Sequence, residues 1–138
     1  MSEVIQLQSL PAHSVVATPK LHLLPCQIDH NGPANVSSFF VVESNPDCPS
    51  TAQSAFRGRA LQGVRTKVPA NYQGVIYRED DSHPSKERAL KAAGSFETFV
   101  AWGHDDLPTT ESNDVMRMLA WLEIAEDLHT HFPSTAGS

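Results

Sequence analysis

Four carboxylates come as adjacent pairs, Asp80-Asp81 and Asp105-Asp106. Paired acids can hold a divalent ion for phosphoryl chemistry. Neighbouring residues on a strand, however, point to opposite faces, so a doublet alone does not make a ligand pair. Both doublets sit in loop-like stretches with Pro or Gly nearby, and solvated turn carboxylates are expected. His22 and Cys26 share strand parity but would stand about 13 Å apart at roughly 3.3 Å per residue, too far to share a metal. His129 and His131 diverge on a helix. No spacing resembles a zinc site. A nucleophile needs a base and an orienting group nearby, and nothing local activates Cys26, Cys48 or any serine. Gly74 and Gly103 stand alone, so there is no phosphate-cradling loop. The expectation is no catalytic residue and no metal ligand in this chain.

The cations are the anomaly. If "AFRGRALQGVRTKV" keeps strand parity, Arg57, Arg59, Arg65 and Lys67 share one face, and Phe56, Ala60, Val64 and Val68 share the other. Those four are a large part of the chain's 10 Lys+Arg. Three readings stay open. The face is solvated, or it grips nucleic acid, or it meets another protein. Single-stranded nucleic acid favours interleaved aromatics, and Leu61 and Gly63 are not aromatic. Arginine suits protein interfaces through its planar fork and packing surface.

The elements that must carry these groups fit one domain. The chain has 138 residues, 40% of them hydrophobic, and a net charge of -6. An acidic chain is a poor phosphate binder by itself. The start "MSEVIQLQSL" has neither a basic flank nor an apolar run of signal length, and no stretch nears the roughly 18 apolar residues of a membrane span. A soluble intracellular protein with Cys26 and Cys48 reduced is expected. Residues 1–20 read as an N-terminal extension with a strand at Val4 to Gln8. Leu21 to Ile28 reads as a strand apolar on both faces, which suggests cover on both sides. A turn at Asn31-Gly32 leads to an answering strand, Val36 to Val42. "FRGRAL" and "VRTKV" read as two strands around Gln62-Gly63. Val75 to Tyr77 and Phe96 to Trp102 are further strands. Residues 78–95 read as a mobile loop, with a helical turn in "SKERALKAA". Six or seven short strands with turn signals imply a mainly β architecture, barrel or sandwich.

The clearest element is a helix over 113–132. Ser112 or Asn113 can cap it, and Asp114 suits its first turn. Its apolar residues, from Val115 to Phe132 and including Trp121 and Leu122, span an arc of roughly 220° at 100° per residue. Packing on one sheet needs only about 100°. The helix is therefore sunk deep in its own domain or shared with another chain. Residues 133–138 read as a frayed tail.

Several segments carry a resemblance. "LHLLPC" at 21–26, "GPA" at 32–34, "FRGR" at 56–59 and "WG" at 102–103 occur in one order. With their flanks, from about Leu21 to Trp121, they resemble the non-catalytic C-subunit family of eukaryotic ribonuclease H2. The resemblance implies a heterotrimer of A, B and C subunits. In it the catalytic A subunit carries the metal-binding carboxylates, with a divalent metal such as magnesium. The B and C subunits interweave strands into a triple-barrel body, and C also touches A. The complex cuts RNA in RNA/DNA hybrids and incises DNA at embedded ribonucleotides, in DNA replication and repair. It further implies no cofactor in this chain, no membrane, nucleic acid met mainly through the complex, and a nuclear location with the cytoplasm as a second compartment. Arg57, Arg59, Trp102, Pro108, Trp121 and Leu122 are the expected interface residues. The alternative is a free-standing nucleic-acid-binding β-barrel with the arginine stripe as its footprint.

Overall fold

The computed structural model describes residues 6–8, 20–79 and 89–131. The central unit is a hairpin of β4 (Thr51–Phe56) and β5 (Arg59–Lys67). Its two-residue turn is Arg57-Gly58, since Phe56 pairs with Arg59. Both turn residues have positive φ, +50° and +76°. This is the backbone twist that two-residue hairpins favour. The turn expected at Gln62-Gly63 is corrected: these residues lie inside β5. Gly63 is bare for another reason. A Cβ there would meet the Trp102 ring at 2.8 Å and Val100 at 2.9 Å.

β8 (Thr98–His104) pairs antiparallel with β5, placing Trp102 opposite Gly63. β2 (His22–Leu23) adds in parallel to β8, and β3 (Glu43–Ser44) closes the other edge beside β4. The sheet order is β2-β8-β5-β4-β3. A second sheet joins β1 (Gln6–Gln8), β7 (Ala89–Phe96) and β6 (Gly74–Glu79), with β7 in the middle. The chain is mainly β, and a helix, α2 (Asp114–His131), ends its described part. Glu97 alone separates β7 from β8, and its carbonyl accepts from the Val68 N–H at 2.8 Å.

Three expectations change. Only His22–Leu23 of the first apolar run is a strand. Pro25 lacks a donor for a ladder bond, and Leu23 and Ile28 stay exposed instead of covered on both sides. Val36 to Val42 is not a strand: α1 (Val36–Phe39) makes one turn, and Phe40 then drops into the core. The supposed loop over 78–95 contains β7 from Ala89 onward. Its Ala and Lys favour helix, but pairing on both sides with β1 and β6 overrides that. Asp80-Asp81 and the 133–138 tail lie outside the described residues.

The core sits on one face of the five-stranded sheet. Phe40, Ala52, Leu61, Val100 and Trp102 are buried, with Leu24, Val42 and Phe56 packed around them. β8 is buried on both faces, Val100 and Trp102 towards this core, Phe99 and Ala101 away from it. Phe99 meets Phe96 edge-on at 6.1 Å.

Candidate partner interface

The arginine stripe forms in altered shape. Arg59, Leu61, Gly63, Arg65 and Lys67 alternate onto the core face of β5. Leu61 and Gly63 fill its middle, and the cations stand exposed at its two ends. Arg57 leaves the strand parity by occupying the turn. Phe56 lies on the arginine side, not with Ala60, because cross-strand partners share a face.

Arg57 and Arg59 come together at the mouth of a cleft of about 500 Å³. Pro25 to His30 form one wall, and Phe56, Leu61 and His104 line the rest. Arg57 lies over the Phe56 ring, 5.8 Å from its centroid. Arg59 has no hydrogen-bond or ion-pair partner among the described residues. His104 Nε2 donates to the Pro25 carbonyl at 3.2 Å, tying that wall to β8. At the far end of β5, Arg65 Nη2 donates to Ser44 Oγ at 2.8 Å.

Trp102 is 1% exposed and faces inward, so its side chain is a core element of this chain and not a surface open to a partner. Its Nε1–H donates to His22 Nδ1 at 3.1 Å. Phe40 stands edge-on to both rings, at 5.4 Å from Trp102 and 5.2 Å from His22. Burial holds the His22 pKa below its ordinary value, with Arg65 and Lys20 adding to the effect. Pro108 is likewise buried, where the chain folds back after β8 onto Gly103.

The two α2 candidates separate. Asn113 Oδ1 accepts from the Val115 and Met116 N–H groups at 3.1 Å each, the expected N-cap. Val115, Met116, Leu119 and Leu122 are half-buried on one side. Trp121 is 64% exposed on the other, with Met118, Ile124 and Leu128 beside it. The wide apolar arc is therefore not sunk in this chain's own domain. A second apolar surface, Val36, Phe39 and Val41, projects around α1, with Phe39 81% exposed. Sequence reasoning missed it by taking Val36 to Val42 as one strand, in which Val36 points to the face opposite Phe39 and Val41. The signal available was the break in alternation at Phe39-Phe40.

Among the described residues no three His, Cys, Asp or Glu side chains converge as metal ligands. Asp105 and Asp106 are exposed in the turn after β8.

The surface thus carries apolar patches and a cleft lined by Arg57 and Arg59. Residues 20–89 and 77–128 match the family described as ribonuclease H2 non-catalytic subunit (Ylr154p-like). The chain belongs to that family. The C subunit of ribonuclease H2 from Mus musculus is 30% identical over 142 residues, covering 85% of this chain and 84% of that protein. The C subunit of ribonuclease H2 from Bos taurus is 27% identical over 143 residues, with 85% and 84% covered. An uncharacterized protein of Schizosaccharomyces pombe is 29% identical over 117 residues, covering 77% of this chain and 80% of its own. Most of the described fold lies within the matched residues.

Proposed function

We propose that this chain is the scaffold C subunit of a heterotrimeric ribonuclease H2. It pairs with the B subunit in an interwoven triple-barrel body and supports the catalytic A subunit. The observation that carries the reading is the exposure of large apolar side chains on two separate elements, Phe39 with Val36 and Val41, and Trp121 with Met118 and Leu128. Isolated apolar residues on a surface are ordinary, but grouped ones mark interaction sites. Arg57 and Arg59 add a polar rim that can straddle a carboxylate or backbone carbonyls. Hybrid cleavage and incision at ribonucleotides belong to the complex, with the divalent metal held by the catalytic subunit and no cofactor in this chain. Substrate RNA/DNA hybrid meets the chain mainly through the complex, in the nucleus.

Co-expression tests this. The chain alone should aggregate, and the B subunit should restore it to solution. Adding the catalytic A subunit should yield a complex that cleaves RNA/DNA hybrid. A chain that stays monomeric and soluble alone, ignores both other subunits, and binds oligonucleotide with a steep salt dependence would instead be a free-standing nucleic-acid-binding barrel.

A further inference from the structure

His22 is the half-buried titratable group that the assembly reading leaves unused. Its position is structural. It sits on β2, which joins the sheet through the parallel pair with β8. The Val100 N–H donates to the Leu21 carbonyl at 3.0 Å beside it. The Trp102 indole N–H can only donate, so His22 Nδ1 must be the unprotonated nitrogen, with the neutral ring carrying its proton on Nε2. Phe40 packs against both rings. The segment from Leu21 to Val42 is thus held at its start by His22, at Pro25 by His104, and near its end by Phe40 and by the Ser54 hydroxyl on the Val41 carbonyl.

Among the described residues the charges around this ring have one sign. Arg65 on β5 and Lys20, two residues upstream, both act on it. Lys67 lies on the same face of β5, further along the strand. β8 presents Val100 and Trp102, and the next residue on that face, His104, is turned to Pro25. The stretch from Val36 to Val42 contains no acid or base. Glu43 pairs with Gln53 on the opposite face of the sheet. No carboxylate among these neighbours rewards protonation of the imidazole.

We propose that the Trp102–His22 hydrogen bond is a proton-sensitive latch: a proton on Nδ1 removes the acceptor, orphans the indole N–H and loosens β2 (His22–Leu23) from β8. The sign follows from linkage. The folded chain binds this proton more weakly than the opened chain, because burial lowers the pKa from its ordinary 6.5. The closed state therefore has its full stability above about pH 6.5, and loses it as pH falls from there through the folded value.

Hydrogen exchange on the full-length chain in its purified assembly tests the latch between pH 7.5 and 5.5. Exchange times are scaled to the intrinsic pH dependence. The Val100 amide should open more as pH falls below about 6.5, by up to tenfold per unit before levelling off. Amides of the β6–β7 pair should not follow. His22→Asn keeps an acceptor, Oδ1, near the place of Nδ1 and cannot titrate there, so its Val100 opening should be flat with pH. A flat wild type, or the same slope in His22→Asn, overturns the proposal. Imidazole titration by NMR in the wild type decides the matter if the variant does not fold. Val100 exchange that rises over the same pH span as His22 protonation upholds the latch, and exchange that does not follow that protonation overturns it.

Discussion

Replacing Trp121 with alanine should damage assembly and spare the fold. Trp121 is 64% exposed. A tryptophan side chain presents up to about 250 Å², so roughly 160 Å² awaits cover. At about 25 cal/mol per Å², covering it contributes at most about 4 kcal/mol. Binding does not convert area in full, because ordering and desolvation oppose it. A loss of about 2–4 kcal/mol, or roughly 30- to 1,000-fold in the dissociation constant, is the expected range. Leu122 is the internal control. It is half-buried on the opposite side of α2, so Leu122→Ala should cost about 1–2 kcal/mol of the chain's own stability, below the range of a fully buried leucine. The assay is dissociation of the purified complex on dilution, followed by mass, alongside urea unfolding of the same samples. The two variants should separate cleanly. If Trp121→Ala changes the dissociation constant less than threefold, the outer stripe of α2 has no partner. If it unfolds the chain as readily as Leu122→Ala does, the helix face has been misassigned.

Replacing both Arg57 and Arg59 with alanine should weaken subunit retention and leave the affinity of surviving complex for hybrid unchanged. A drop of about 1 or more in the slope of log K against log salt would instead make them phosphate contacts. Gly63→Ala should lose about 1–3 kcal/mol in denaturant titration, because its Cβ overpacks the Trp102 ring. Recovery on adding Trp102→Phe would identify the clash, and a neutral Gly63→Ala would refute it. Asn113→Ala removes a cap that satisfies two N–H groups and should cost about 1 kcal/mol, read as lower helicity and a lower midpoint.

Helix α2, its cap and the strand character of β5 and β8 were legible because periodicity and capping are local. The hairpin turn was not. "QG" at 62–63 looks like a turn, whereas "RG" at 57–58 puts a bulky residue where φ is positive. Only the register with β4 and β8 shows Gly63 to be packing space. β7 was hidden for a related reason. A short Ala-rich stretch has little of its own to decide between helix and strand, and its neighbours on both sides decide it. In the candidate site, Arg57 and Arg59 stand exposed, and so does Trp121, which the wide apolar arc had placed under cover. Trp102 and Pro108 do not, since a motif in sequence does not say whether a side chain serves the surface or the core. Phe39 was missed because α1 is a single turn, too short to leave a helical period.

Arg57 adopts the left-handed backbone without being glycine, a conformation that costs an ordinary residue roughly 1–2 kcal/mol. Asn or Gly would occupy the same turn at less strain. Selection for thermal robustness alone should therefore drift position 57 towards those residues. Selection that scores complex formation should hold the guanidinium in place against that drift. Deep mutational libraries sorted once by each criterion would diverge at this codon, and the divergence would measure how much of the residue's retention is owed to something other than its own fold.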